Sequence, residues 1–149
     1  DRKPETIAHG GSVEDVLKHL KSDPKIGAAI DFKISGGEFV ADIKIVSKET
    51  RSDIKFVAFL AENGIKAAQA GDSEIDTHNH ALRAAYNGEV LGEDISVTAG
   101  AMLNKTVKFP LSAKYKDEKN CEIIALITNK SDDTVINVQR VKVGRKIGY

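Results

Sequence analysis

The sequence predicts a mainly β protein: an immunoglobulin-like antiparallel β-sandwich with an N-terminal helix and a short helix in its central loop. Three observations favour this class. Apolar and polar residues alternate with period 2 over much of the chain, turn-forming residues separate these runs at sandwich-like intervals, and few segments have a helical period. A parallel α/β fold, which needs many crossover helices, is disfavoured.

Residues 1–24 are predicted to be a tail followed by an amphipathic helix. Because the chain begins at Asp1 rather than at Met, we expect that it was processed or cut from something longer. Ser12 occupies the N-cap position, and the Asp23-Pro24 pair stops the helix. Its apolar stripe consists of Val13, Val16, Leu17 and Leu20. One face of this helix must therefore pack against something.

The sandwich is predicted to begin at residue 25 with a hairpin. The inward residues of the first strand are Ile26, Ala28, Ile30, Phe32 and Ile34. Gly36 and Gly37 tolerate the positive φ values of a two-residue turn. The inward residues of the returning strand are Phe39, Ala41, Ile43 and Ile45.

Two later segments have so many apolar residues that we expect strands covered on both faces. These are residues 54–61 and residues 121–128. The Asn63-Gly64 pair predicts a hairpin from the first of them to a short strand over residues 65–69. In the final strand, residues 134–143, the inward-facing positions switch between Ile136/Val138 and Val141/Val143, which predicts a bulge.

The segment between residues 70 and 98 lacks this alternation and holds the chemically unusual residues. Residues 78–86 predict a short helix with Thr77 as its N-cap. Between residues 72 and 94, six carboxylates accompany one cation, Arg83. The candidate residues for binding a partner or organising this loop are Gln69, His78, Asn79, His80, Arg83 and Tyr86.

An acidic loop with two histidines also suggests a metal site, with Asp76, His78 and His80 as ligands. The spacing resembles the metal-binding start of amidohydrolase-type enzymes, but their barrel needs at least about 200 residues. On a helix, moreover, residues i and i+2 point about 200° apart. We therefore predict that both imidazoles hydrogen-bond backbone carbonyls and that Arg83 holds the loop through a carboxylate or carbonyls.

Composition narrows the function further. The chain has 149 residues, and its 22 basic and 22 acidic residues balance, which argues against a nucleic-acid-binding surface. No apolar run is long enough for a transmembrane helix. The single cysteine, Cys121, excludes an intrachain disulfide and is predicted to be a buried, inert thiol. No phosphate-binding loop or nucleophile elbow occurs, so we expect neither a catalytic constellation nor a cofactor.

Several strings between residues 54 and 128 resemble a known family. They are Phe-Val-Ala-Phe-Leu-Ala-Glu-Asn-Gly-Ile at residues 56–65, Gln69, and His-Asn-His-Ala-Leu-Arg at residues 78–83. Asn87-Gly88 and Gly92-Glu93-Asp94 follow in the same order. This pattern is similar to the C-terminal region of the twenty-eight-kilodalton outer-membrane protein family of anaerobic Gram-negative bacteria.

The resemblance implies an exported surface protein, usually a lipoprotein, in which a thioredoxin-like domain precedes an immunoglobulin-like sandwich. We expect residues 1–24 to be the end of that upstream domain or a linker to it, and residues 25–149 to be the sandwich. The implied function is a non-enzymatic binding or structural module at the outer membrane or in the periplasm. Its partner would be an unidentified protein or surface glycan. The alternative is a metal-binding domain or metal-dependent hydrolase.

Overall fold

The computed structural model describes residues 24–68, 75–111 and 115–149, which form antiparallel sheets in a sandwich. This mainly β architecture confirms the predicted fold class. Within these ranges the strands are β1 (Ile26–Ser35), β2 (Glu38–Ser47), β3 (Arg51–Glu62), β4 (Ile65–Ala68), β5 (Ile75–His78), β6 (Ala81–Ala85), β7 (Glu93–Val97), β8 (Met102–Pro110), β9 (Cys121–Asn129), β10 (Val135–Lys142) and β11 (Arg145–Ile147). Two short 3₁₀ helices are η1 (Tyr86–Gly88) and η2 (Glu118–Asn120). The helix predicted over residues 12–22 lies outside the described residues.

One layer is a four-stranded sheet in the order β11-β1-β2-β8. The β1–β2 hairpin forms as predicted, with Ser35 opposite Glu38 and φ values of 60° at Gly36 and 77° at Gly37. Two glycines suit this turn because both positions need a positive φ. Ile34, predicted to face inward, is 38% exposed because it lies next to the exposed turn of the hairpin.

The other layer is a five-stranded sheet in the order β10-β9-β3-β6, with β7 also paired to β3. Its central strand is β3, which pairs with β9 along one edge and with β7 and then β6 along the other. Phe56 and Leu60 face the other sheet, while Val57 and Ala61 are buried on the opposite face. The strand over residues 54–61 is thus covered on both faces, as predicted.

The core lies between the two layers and consists of the side chains that point inward from their strands. Its largest fully buried apolar side chains are Phe32, Phe39, Phe56, Ile26, Ile43, Ile45, Ile54, Ile123, Ile127 and Val107. Each such side chain contributes roughly 1.5–3 kcal/mol when it leaves water. The rings of Phe32 and Phe39 stack with their centroids 5.9 Å apart.

The predicted helix over residues 78–86 is wrong. His78 ends β5, Ala81 begins β6, and residues 86–88 form only a single turn, η1, in which Asn87 has a left-handed φ of 54°. Two features exclude the helix. His80 has a left-handed φ of 57°, and residues 81–85 instead hydrogen-bond to the open edge of β3.

The hairpin predicted at Asn63-Gly64 is also wrong. Strand β4 pairs with β5, with Ile65 opposite His78, and not with β3. Both edges of β3 are already occupied where it ends, by β9 and β6, so the chain must leave the sheet. The β4–β5 hairpin therefore projects as a separate two-stranded unit.

The bulge predicted in the final strand is present, with a register shift between Val135 and Asn137. It lies earlier than expected, so Val138 faces outward and is 53% exposed. Val141 is buried in the core.

Candidate functional site

Two glutamates are buried where β3 and β9 meet at one end of the five-stranded sheet. Glu62 and Glu122 are each 1% exposed, and Ala61 pairs with Glu122 while Glu62 pairs with Cys121. Because side chains alternate across a strand, Glu62 faces the layer interface and Glu122 faces the outer surface of the sheet. Burying a carboxylate costs several kcal/mol unless it is paired and hydrogen-bonded.

Glu62 obtains its partners from two different parts of the chain. Its Oε2 accepts hydrogen bonds from Arg83 Nε at 2.8 Å and Arg83 Nη2 at 2.7 Å. Its Oε1 accepts from the backbone N–H of Asp117 at 2.7 Å and of Lys116 at 2.9 Å. We call this group the Glu62 cluster. It joins β3, β6 and the loop before η2.

A bulge in β6 places Arg83 in this cluster. Ala84 lies opposite Leu60 and Leu82 lies opposite Ala61, which leaves Arg83 as the extra residue. A bulge redirects a side chain in this way without ending the strand. The Arg83 side chain is only 21% exposed, so its ion pair with Glu62 is largely removed from water.

Glu122 is paired on the opposite face of the sheet. Its Oε1 lies 2.5 Å from His80 Nδ1, and its Oε2 lies 3.8 Å from Arg140 Nε. Arg140 Nη1 also lies 3.3 Å from His80 Nε2. Because a guanidinium only donates, Nε2 accepts, and Nδ1–H therefore donates to Glu122. We call these three residues the Glu122 cluster.

Side chains and backbone groups tie the Glu-Asn-Gly string to the His-Asn-His string. The backbone N–H of His80 donates to Asn63 Oδ1 at 2.9 Å, and the N–H of Gly64 donates to Asn79 Oδ1 at 3.0 Å. His78 Nε2 donates to the carbonyl of Ala67 at 3.2 Å. With the Glu62–Arg83 pair, these contacts run antiparallel along residues 62–67 and 78–83, which we call the clasp.

The candidate residues predicted from the sequence therefore have separate partners. His78 binds a carbonyl, whereas His80 binds a carboxylate rather than the expected carbonyl. Tyr86 packs edge-on against Phe56, with centroids 6.4 Å apart. Gln69 lies outside the described residues. Asp76 is exposed on β5, and no three His, Cys, Asp or Glu side chains of the described residues are grouped to hold a metal ion.

Comparison with known proteins decides the family. A family model described as outer membrane protein Omp28 matches residues 2–147. The chain belongs to the Omp28 family. This confirms the resemblance carried by the two strings of the clasp. No curated protein matches the chain.

Solved structures share the fold of this Omp28-family chain. HBP35 of Porphyromonas gingivalis matches with a TM-score of 0.70 and 12% identity, covering 87% of this chain and 44% of that one. A domain of the outer membrane lipoprotein Omp28 from Porphyromonas gingivalis matches with a TM-score of 0.52 and 20% identity, covering 79% and 93%. The chain thus spans less than half of the length of HBP35.

Membership of the Omp28 family makes the chain an extracytoplasmic, outer-membrane-associated protein, as the resemblance implied. In the three ranges that the structure describes, no helix has the length and hydropathy needed to cross a bilayer.

Sequence reasoning missed the two buried glutamates and the other members of their clusters. Glu62 lies on the same face of its strand as Ile54, Phe56, Ala58 and Leu60, which point into the core. The alternation of inward and outward residues therefore predicts that Glu62 is buried. Glu122 is a carboxylate inside a strand predicted to be continuously apolar, and such a charge requires a partner. Arg140 and the two backbone amides carried no such signal, because they come from distant parts of the chain.

Cys121 lies beside the Glu62 cluster. The thiol is buried, and its Sγ donates to the carbonyl of Asp117 at 3.6 Å. Burial, followed by the negative charge of Glu62, raises the pKa of the Cys121 thiol to about 12. A thiol with so little thiolate at neutral pH is a poor nucleophile.

Proposed function

We propose that this chain is a non-enzymatic structural and binding module of a bacterial cell-surface protein. The observation that supports this is that the side chains best suited to catalysis or ligand binding are paired within the module. Arg83 and His80 each bind a buried glutamate, and Asn63 and Asn79 bind backbone amides. A catalytic group needs a functional atom that is free to reach a substrate, and these groups are hydrogen-bonded within the module instead.

In this proposal the clasp fixes the β4–β5 hairpin to the end of the sandwich. An isolated two-stranded hairpin is marginally stable in water, so it needs such an attachment. The hairpin is presented to solvent, with Ile75 70% exposed. Exposed loops on a rigid scaffold are the usual place for recognition. We propose that this end of the module contacts the protein or glycan partner, with His78, Asn79, His80, Arg83 and Tyr86 organising it.

The position of the module within a longer protein is part of the same proposal. We propose that residues 1–24 link the sandwich to an upstream thioredoxin-like domain, as the family resemblance implies. The partial coverage of HBP35 supports an arrangement in which this module is one part of a larger chain.

Substitution of Asn79 with alanine tests the organising role of the clasp. We expect faster amide hydrogen exchange in β4 and β5, because Gly64 N–H loses its acceptor and the hairpin opens more often. Exchange in β1 and β2 should not change. Asn104→Ala, the same change at an exposed position of the other sheet, is the control. Unchanged exchange in β4 and β5 would show that the clasp does not fix the hairpin to the sandwich.

Metal titration separates this proposal from the metal-binding alternative. We expect purified protein to contain no stoichiometric transition metal and to melt at the same temperature with zinc or with chelator. A ligand that binds only the folded state raises its stability, so a true site would shift the melt by several degrees. Such a shift, lost in His78→Ala, would favour the metal-dependent alternative with Asp76, His78 and His80.

A further inference from the structure

The outward surface of the four-stranded sheet contains an open groove of about 540 Å³. Protein cavities that hold small ligands measure about 300–1,000 Å³, so the groove has a suitable size. Its lining includes six strand residues whose side chains point away from the core, namely Ala29, Asp31, Asp42, Lys44, Thr106 and Lys146. We call the space that these six residues line the polar groove.

Small residues on β1 leave room for the polar groove. Ala29 lies opposite Lys44, and its methyl group does not fill the space beside that longer side chain. Gly27 precedes it by two residues and so lies on the same face. A Cβ atom at Gly27 would lie 3.4 Å from Tyr149 Cδ1, so the Tyr149 ring rests on the strand there. Tyr149 is 61% exposed, which leaves much of this ring accessible next to the groove.

Two carboxylates lie side by side in the polar groove. Asp31 and Asp42 are directly opposite each other on β1 and β2, where like charges repel. Lys146 Nζ lies 2.6 Å from Asp31 Oδ2, and Lys33 Nζ donates to Asp42 Oδ2 at 3.0 Å. The hydrogen bond from Lys33, with a weaker contribution from Thr106, lowers the pKa of the Asp42 carboxyl. Both carboxylates are therefore held in place, and Asp42 is ionised at neutral pH.

The polar groove has hydrogen-bonding capacity that the chain does not use. An ionised carboxylate has about four acceptor sites, and Asp42 receives one hydrogen bond on each oxygen, from Lys33 and Thr106. Lys44 brings three N–H donors, and none of the described residues forms an ion pair or hydrogen bond with its ammonium group. Free donors and free acceptor sites thus lie close together in one groove.

The charges of the polar groove also balance. Its two carboxylates, Asp31 and Asp42, face two ammonium groups, Lys44 and Lys146. Lys105 lines the groove as well, but its ammonium forms an ion pair with β7. A ligand with a net charge of either sign would therefore meet as much repulsion as attraction. An apolar ligand would remove the carboxylates from water without replacing their hydrogen bonds, which is costly.

A neutral saccharide fits this combination of groups. Each of its hydroxyl groups donates one hydrogen bond and accepts others, so neighbouring hydroxyls suit a carboxylate and an ammonium group side by side. The C–H groups on one side of a sugar ring form an apolar surface that packs on the face of an aromatic ring. The accessible Tyr149 ring supplies such a face next to the groove.

We propose that the polar groove binds a short neutral oligosaccharide. The hydroxyl groups of one sugar unit bind Asp31, Asp42 and Lys44, and a neighbouring sugar ring packs on Tyr149. This site lies on the outward surface of the four-stranded sheet, whereas the clasp lies at one end of the other sheet. It is therefore a binding surface separate from the β4–β5 hairpin, and its failure would leave the proposed role of that hairpin unchanged.

Backbone amide NMR of the full chain tests the location and the ligand class. The probes are the neutral trisaccharides maltotriose, cellotriose and mannotriose, with trigalacturonic acid as an anionic trisaccharide of similar size. We expect at least one neutral probe at millimolar concentration to shift amides of β1, β2 and β8, and the anionic probe to shift them less. No shifts with any neutral probe, larger shifts with the anionic probe, or shifts confined to β4 and β5 would each overturn the proposal.

Single substitutions test the contacts with the neutral probe that binds best. Lys44→Ala should weaken binding about tenfold, because a hydrogen bond to a charged group is lost. Lys142→Ala, which removes an exposed lysine from the outward surface of the other sheet, is the matched control and should bind normally. Equal affinity of these two variants would contradict the proposed contact. Circular dichroism establishes that both variants are folded.

The Tyr149 ring is tested by a conservative pair of variants. Tyr149→Ala should weaken binding of the same probe about tenfold, whereas Tyr149→Phe keeps the ring and should bind like the unmodified protein. A general disturbance of the sheet would show instead as amide shifts in β1 and β2 before sugar is added. Normal binding by Tyr149→Ala, or equally weak binding by Tyr149→Phe, would overturn the proposed packing of sugar on the ring.

Discussion

Substitution of Arg83 with alanine is expected to lower the free energy of unfolding by about 2–4 kcal/mol. The change leaves Glu62, which is 1% exposed, with two backbone amides on Oε1 and without the guanidinium that binds Oε2. An uncompensated buried carboxylate is among the costliest defects in a folded protein. Denaturant unfolding followed by circular dichroism measures the loss.

Two further variants show whether that loss comes from the buried charge. Combining Arg83→Ala with Glu62→Gln should cost less than Arg83→Ala alone, because a neutral amide is cheaper to bury without a cation. Lys33→Ala breaks the Lys33–Asp42 pair, whose side chains are 45% and 46% exposed, and should cost at most about 1 kcal/mol. An equal loss in Arg83→Ala and Lys33→Ala would mean that Glu62 does not depend on its partner.

The parts of the fold predicted correctly are those specified by local sequence. The β1–β2 hairpin needs only the alternation on its two strands and the Gly36-Gly37 turn between them. The burial of β3 on both faces follows from residues 54–61, since a strand that is apolar at nearly every position has no face suited to water. In these segments, propensity, pattern and turn chemistry agree.

The central segment was mispredicted because tertiary contacts override its local preference. Ala81, Leu82 and Ala85 favour a helix in isolation. The open edge of β3, however, offers residues 81–85 a ladder of hydrogen bonds, and the left-handed turn at His80 aligns them with it. Hydrophobic periodicity does not reveal which edge of a sheet is vacant.

Only part of the candidate site could be predicted from the sequence, for a related reason. His80 and Arg83 stood out because polar residues cluster in an irregular segment. Their partners did not, because Glu62 is 21 residues from Arg83 and Glu122 is 42 residues from His80. Pairs at such separations are set by strand order, which a single sequence does not specify. The buried carboxylates, not the histidines, are the better marker, because each of them requires a partner.

Substitution of Gly92 with alanine is expected to destabilise the fold by about 2–4 kcal/mol, from about 1–2 kcal/mol of backbone strain and the rest from overpacking. Gly92 has a φ of 81°, and a Cβ atom there would lie 2.5 Å from the Phe56 carbonyl oxygen and 2.6 Å from Val57 Cγ2. The Phe56 carbonyl belongs to the central strand of its sheet, so it cannot retreat without disturbing two neighbours.

Gly88→Ala separates the two contributions. Gly88 has a similar φ of 76°, but apart from Gly88 and its two chain neighbours no described residue has an atom within 4 Å of the position that a Cβ would occupy there. It should therefore lose only the backbone part, about 1–2 kcal/mol. Denaturant midpoints of the two variants measure the difference. Equal midpoints would show that the turn moves away from β3 at no cost. A larger loss at Gly92 would instead explain the glycine of the Gly92-Glu93-Asp94 string, since only a residue without a side chain lets β7 start in contact with the central strand.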